Sequence, residues 1–116
     1  MAIKWDDKKR YAVTEWLGDA PLPDQALWGR AFATLEYATN LAKATYQIGL
    51  EKYGLYTELC FFSGMKNYYV LVQEHRIGTD EHGRRCEETD REVVGITSIG
   101  DLGGAALARF LTKWEE

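Results

Sequence analysis

The chain has 116 residues, 46% hydrophobic and 28% charged, with a formal net charge of −4. That is the size and balance of one ordinary globular domain spanning 1–116, neither disordered nor large enough to divide in two. No apolar run approaches the roughly 20 residues of a membrane span, no charged-then-apolar leader follows Met1, and two cysteines without paired spacing, Cys60 and Cys86, make a reducing cytoplasm the expected setting.

After Met1 to Trp5, Asp6 or Asp7 can cap a first helix in which Lys9, Ala12, Val13, Trp16 and Leu17 recur at helical spacing and Gly18 is the stop. Gly18 to Pro23 is a short connector. Asp24 to Lys52 then reads as a long second helix, capped by Asp24 and stopped by Gly54, around which the rest of the chain is organised. Its apolar face is a lane of small residues, among them Ala31, Ala38, Ala42, Thr45 and Gly49, between walls that include Trp28, Phe32 and Tyr46 on one side and Tyr37, Leu41 and Ile48 on the other.

From Leu55 to Phe62 the pattern becomes β-rich, Ser63 to Asn67 has hairpin-loop length, and Tyr68 to Ile77 reads as a second strand. Thr79 to Gly83 is a turn, and a third strand returns through Arg84 to Ser98, its Arg84 to Glu92 half having almost nothing apolar to bury. Ser98 with Asp101 suggests the cap of a last helix whose buried stripe is Ile99, Gly103, Ala106, Leu107, Phe110, Leu111 and Trp114. The expected fold is therefore α+β, order α-α-β-β-β-α: a three-stranded antiparallel sheet with helices packed on one face.

The α-β-β-β-α part of that order resembles the topology of double-stranded-RNA-binding domains, which implies a lysine cluster at the start of the last helix. The equivalent residues here, Gly100 to Gly104, hold Asp101 and no base. Nucleic acid binding normally needs a basic face, and the only basic cluster, Lys8 to Arg10, stands beside Asp6 and Asp7. Gly100, Gly103 and Gly104 match neither dinucleotide nor P-loop spacing, so close helix–sheet packing accounts for them better than a phosphate cradle.

No catalytic, cofactor or metal motif is complete. Cys60, His75, His82 and Cys86 lack the paired spacings of a zinc site, and a nucleophile at Cys86 beside His82 shows no partner base or oxyanion site. Glu87, Glu88, Asp90 and Glu92 alternate with Arg84, Arg85 and Arg91, which is a solvated strand or an electrostatic template for a protein partner rather than an acid/base pair. Four Trp, seven Tyr and four Phe exceed what so small a domain buries fully, and Tyr68, Tyr69, Trp5 and Tyr11 are the expected exposed anchors.

The function expected from these residues is non-enzymatic protein binding, as an inhibitor or adaptor acting by stoichiometric contact through Arg84, Arg85, Glu87, Glu88, Asp90, Arg91, Glu92, Tyr68 and Tyr69. That mode suits the accessory proteins that phages and mobile elements direct against host defence. The alternatives are a small nucleic-acid-binding module using Lys8 to Arg10, and a Cys/His hydrolase or metal protein. A helix over 25–52, roughly 42 Å long, outruns a domain of this size with a radius of gyration near 13 Å. A two-fold dimer anchored by Trp28 and Phe32 would cover the overhang.

Overall fold

A computed structural model of the protein describes residues 2–23, 25–54 and 68–112. The chain opens on a strand, β1 (Lys4–Leu17), where a helix was expected. The residues at helical spacing also fit a two-residue period: Val13 and Leu17 share one buried face with Glu15, while Ala12, Thr14 and Trp16 turn to the other. Burial on both faces hides the apolar–polar alternation that marks a half-exposed strand. The β-branched and aromatic side chains then settle the choice. Gly18, at φ 62, turns the chain into β2 (Ala20–Pro21), with Leu17 paired to Ala20.

The organising helix is shorter than its apolar stripe suggests, α1 spanning Leu35–Gly54. Residues 25–34 instead run along the outer edge of β1. The Gln25 carboxamide accepts from the Glu15 N–H (2.6 Å) and donates to the carbonyls of Glu15 (3.2 Å) and Leu22 (2.7 Å). Gly29 turns at φ 79, and Phe32 exchanges two backbone hydrogen bonds with Tyr11 (2.9 and 2.8 Å). A strand edge with its donors and acceptors otherwise unsatisfied competes effectively for this segment. Asp24, the expected cap, lies outside the described residues; Thr34 takes that role, its Oγ1 accepting from the Tyr37 N–H (3.2 Å).

The segment expected as a strand over 55–62, with its loop, also lies outside the described residues. β3 (Tyr68–Thr79) and β4 (Arg85–Thr97) follow, joined by a turn in which the Asp80 carboxylate accepts from the backbone N–H groups of His82 (2.9 Å) and Arg84 (2.8 Å). Ser98 and Asp101 do not cap a helix. Thr97 Oγ1 accepts from the Ile99 N–H (3.1 Å) and donates to the Gly100 carbonyl (2.8 Å), folding the chain into β5 (Gly100–Leu102) before α2 (Gly104–Thr112). Ile99, expected in the buried stripe, is exposed, and Trp114 lies outside the described residues.

Among the described residues the architecture is thus a five-stranded antiparallel sheet, order β2-β1-β3-β4-β5, with two helices in the order β-β-α-β-β-β-α. This corrects the three-stranded, α-α-β-β-β-α expectation. The helices also lie on opposite faces. Tyr68, Val70 and Val72 pack with Ala38, Ala42 and Tyr46 of α1, while the alternate residues Tyr69 and Leu71 pack with Leu107 of α2, beside Phe110 and Leu111. The small-residue lane receives the sheet: Ala38 and Ala42 are fully buried, and a Cβ on Gly49 would collide with the Tyr68 ring and hydroxyl. Ile48 and Tyr37, from the expected flanking wall, are exposed. On the α2 side the close approach falls on Gly95, where a Cβ would lie 2.6 Å from Leu107 Cδ1, rather than on Gly103.

Two consequences are measurable. Gly49→Ala should destabilise the fold by about 1–3 kcal/mol through overpacking, outweighing a helix-propensity gain of about 1 kcal/mol, read as a lower denaturant midpoint at unchanged slope. The Tyr69 phenol is pushed up to about 12, first by burial and then by the Asp19 and Glu92 charges, and it donates to the Gly18 carbonyl (2.5 Å). Its folded value lies above the ordinary 10.0, so the neutral phenol's stabilisation is complete below pH 10 and is lost as pH rises toward 12. A urea-denaturation series across that window should show the loss, and Tyr69→Phe should flatten it.

Candidate interaction surface

The twelve residues of β3 span about 40 Å at strand rise, whereas α1, with 20 residues, spans about 30 Å and α2, with nine, about 14 Å. No member of either core cluster precedes Tyr11 in β1, follows Val72 in β3 or precedes Val93 in β4. The remaining half of the sheet, Lys4 to Arg10, Gln73 to Thr79 and Arg85 to Glu92, is a three-stranded ribbon rich in charge. Register shifts between Val72 and Gln73, and again between Glu74 and His75, separate it from the core half.

Alternation sorts these charges between two faces. On the first, Glu74 pairs with Arg91 (3.5 Å), and Arg76 pairs with Glu88 while its guanidinium lies 4.1 Å from the Trp5 ring centre. Lys9 of β1 reaches across β3 to Asp90 of β4 (3.3 Å). On the second face His75 is held at both nitrogens, Nδ1 lying 2.8 Å from Glu87 Oε1 and Nε2 3.2 Å from Thr89 Oγ1. Arg85 stands 3.9 Å from the other Glu87 oxygen. Pairs exposed on both sides, such as Lys9–Asp90 and Arg76–Glu88, contribute about 0–1 kcal/mol each, so their main effect is to fix where each charge sits, whereas Glu74 is buried and Arg91 caps it from solvent.

The charged residues expected to meet a partner are therefore exposed but mostly paired within the chain. Arg84 pairs with Asp80 (3.1 Å), while Arg85, Glu87, Glu88, Asp90 and Arg91 take part in the contacts just given; of the expected set, Glu92 alone has no ion pair among the described residues. Tyr68 and Tyr69 are not surface anchors. They are 8% and 2% exposed, because Tyr68 to Val72 forms a strand buried on both sides; five consecutive apolar residues were the available signal. Trp5 and Tyr11 are half-buried.

Trp28 and Phe32 do not form one anchor. Trp28 is 60% exposed, whereas Phe32 packs at the edge of the α1-side core with its ring 5.3 Å from that of Tyr37. With a 20-residue helix, the overhang that motivated a dimer is gone, and exposed Trp28 is what remains of that argument.

His82 lies exposed on the turn, and half-buried Cys86 pairs across the sheet with Gly78, its thiol 3.7 Å from the Arg84 carbonyl. No group of three metal-ligating side chains occurs among the described residues, and Cys60 lies outside them. Thr89, His75 and Glu87 do follow the hydroxyl–imidazole–carboxylate order of a nucleophilic triad. However, the cavity of about 230 Å³ that His75 and Glu87 line with Ala12, Thr14, Trp28 and Gln73 does not include Thr89. Sequence reasoning passed over this network because His75 and Glu87 meet only through the β3–β4 register.

No helix among the described residues is long and apolar enough to cross a membrane. No protein-family model, curated protein or solved structure matches the chain.

Proposed function

We propose that the protein works by stoichiometric contact with a protein partner, as an inhibitor or adaptor in a reducing cytoplasm, through the ion-paired face of the ribbon. The observation that carries this reading is a face whose charges hold one another in place while adding nothing to either hydrophobic core. A surface already fixed in shape avoids much of the cost of ordering side chains on binding. Alternating signs give a partner a specific pattern to match and penalise mismatched ones. An accessory role for a phage or mobile element, blocking a larger host complex, suits a contact of this type.

Simple charge reversal is a poor test, because it would set like charges opposite each other across the strands. Exchanging the two members of a pair, Lys9→Asp with Asp90→Lys, keeps the attraction and inverts the pattern that a partner meets. Stability should stay within about 0.5 kcal/mol of wild type, while binding of the protein captured by immobilised wild-type chain from the source cell should weaken by about tenfold or more at low salt. Equal capture by the exchanged variant would place the contact elsewhere. His82→Ala and Cys86→Ser should leave capture unchanged; loss of capture by either, with the fold preserved, would return attention to that turn.

A further inference from the structure

On the face that carries His75, toward the free end of the ribbon, Asp6, Lys8, Arg10, Thr79 and Arg85 surround a hollow of about 540 Å³ with Ile77 at its base. Lys8 and Arg10 come from β1 and Arg85 from β4, so the cations flank the end of β3 from both sides. Their surroundings differ from those of Lys9, Arg76, Arg84 and Arg91. Lys9, Arg84 and Arg91 each have a carboxylate oxygen within 3.5 Å, and Arg76 has one closer still. Lys8 and Arg10 have no ion pair among the described residues. Arg10 Nη1 makes only a long bond, 3.4 Å, to the Lys9 carbonyl, and Arg85 has only Glu87 at 3.9 Å.

In a chain of net charge −4, three under-compensated cations turned toward one hollow are an arrangement that an anion completes. We propose that this hollow binds the phosphate group of a small phosphomonoester. Three cations against the single carboxylate of Asp6 leave two positive charges in the lining, the complement of a phosphomonoester carrying about −1.5 to −2. Arg10 and Arg85 can each offer a planar pair of N–H donors to phosphate oxygens, Lys8 supplies a point charge, and the Thr79 hydroxyl is a further donor. Asp6, unfavourable to the phosphate itself, accepts from a hydroxyl or amino group on the organic part. The volume falls in the range of small-ligand sites, about 300–1,000 Å³. A nucleic acid would need a continued basic track, whereas on the hollow's own face the next groups along the ribbon are His75 with Glu87 and Thr89, and the cations of the opposite face are paired.

Calorimetric titration of the whole chain with inorganic phosphate and with glycerol 3-phosphate, using chloride at matched ionic strength as control, tests the assignment. Saturable one-to-one binding is expected, weakened about tenfold or more in Lys8→Ala/Arg10→Ala. Asp6→Asn should tighten binding of inorganic phosphate, a gain that a misfolded protein cannot produce. No saturable binding at millimolar phosphate, or affinities unchanged in both variants, would overturn the proposal. Vesicles containing phosphatidic acid distinguish a lipid source: capture displaced by glycerol 3-phosphate supports the same site, and capture that free phosphomonoester does not displace overturns it. Binding of a single-stranded oligonucleotide that ignores glycerol 3-phosphate likewise counts against the hollow.

Discussion

Five successive residues of β3, Tyr68 to Val72, are buried with their side chains on alternate faces of one strand, and the other elements are placed by the need to cover both sides. Each cover depends on a small residue at the point of closest approach, Gly49 and the Ala38–Ala42 lane for α1 and Gly95 beneath Leu107 for α2. The two tyrosines add a directional requirement, since a buried phenol must find an acceptor. Tyr68 donates to Glu15 of β1 (2.8 Å) and lies 3.3 Å from the Thr45 carbonyl of α1. Tyr69 donates to Gly18 in the β1–β2 turn. A net contribution of about 1 kcal/mol per hydrogen bond is smaller than the burial of either ring, about 1.5–3 kcal/mol. Burial therefore supplies most of the stability, and the hydroxyls fix which strand and helix surround the centre.

The charged half of the sheet follows from the same strand's length. Once β3 extends beyond the helices, its outer residues meet little apolar cover besides Trp5 and Ile3 near Gly78, and burial of Ile77 alone sets register there weakly. A one-residue slip would transfer every side chain to the opposite face. Glu74–Arg91, Arg76–Glu88, His75–Glu87 and Lys9–Asp90 each oppose such a slip, although the pairs exposed on both sides, Arg76–Glu88 and Lys9–Asp90, contribute little alone. The register shifts at Gln73 and His75 occur where specification by the core gives way to specification by charge, and bulges of this kind also increase twist at that junction.

β3, β4 and their turn were legible in the sequence because their signals are local: an apolar run at Tyr68 to Val72, the Asp80–Gly83 turn and the apolar end of β4. The α2 residues Leu107, Phe110 and Leu111 were legible for the same reason. β1 was not, because Lys9, Ala12, Val13, Trp16 and Leu17 satisfy helical and extended spacing together, and two-sided burial removes the contrast that would choose between them. The early start assigned to α1 has a related cause. Leu27, Ala31 and Phe32 continue its apolar stripe, but the Gln25 carboxamide and Phe32 backbone are drawn to the edge of β1, a competitor invisible until β1 is recognised as a strand. The charged set at Arg84 to Glu92 could be picked out by composition. Its partners could not, since Lys9 and Arg76 meet it only through the sheet order.

The ribbon's two faces differ in a way that allows both proposed contacts at once. Arg76 and His75 are neighbours on β3 but point to opposite sides, one into the neutralised pairs with Glu88 and Trp5, the other toward the face where Lys8, Arg10 and Arg85 surround the hollow. Alternation places the Glu74, Glu88 and Asp90 carboxylates on the first face, and pairing holds them there, away from the cations on the second. Glu88 is held by Arg76, Asp90 by Lys9 and Glu74 by Arg91. The fixed pattern offered to a protein and the unmet positive charge offered to a phosphate are therefore two results of one alternation along three strands. They use different side chains, so occupation of one face leaves the donors of the other in place.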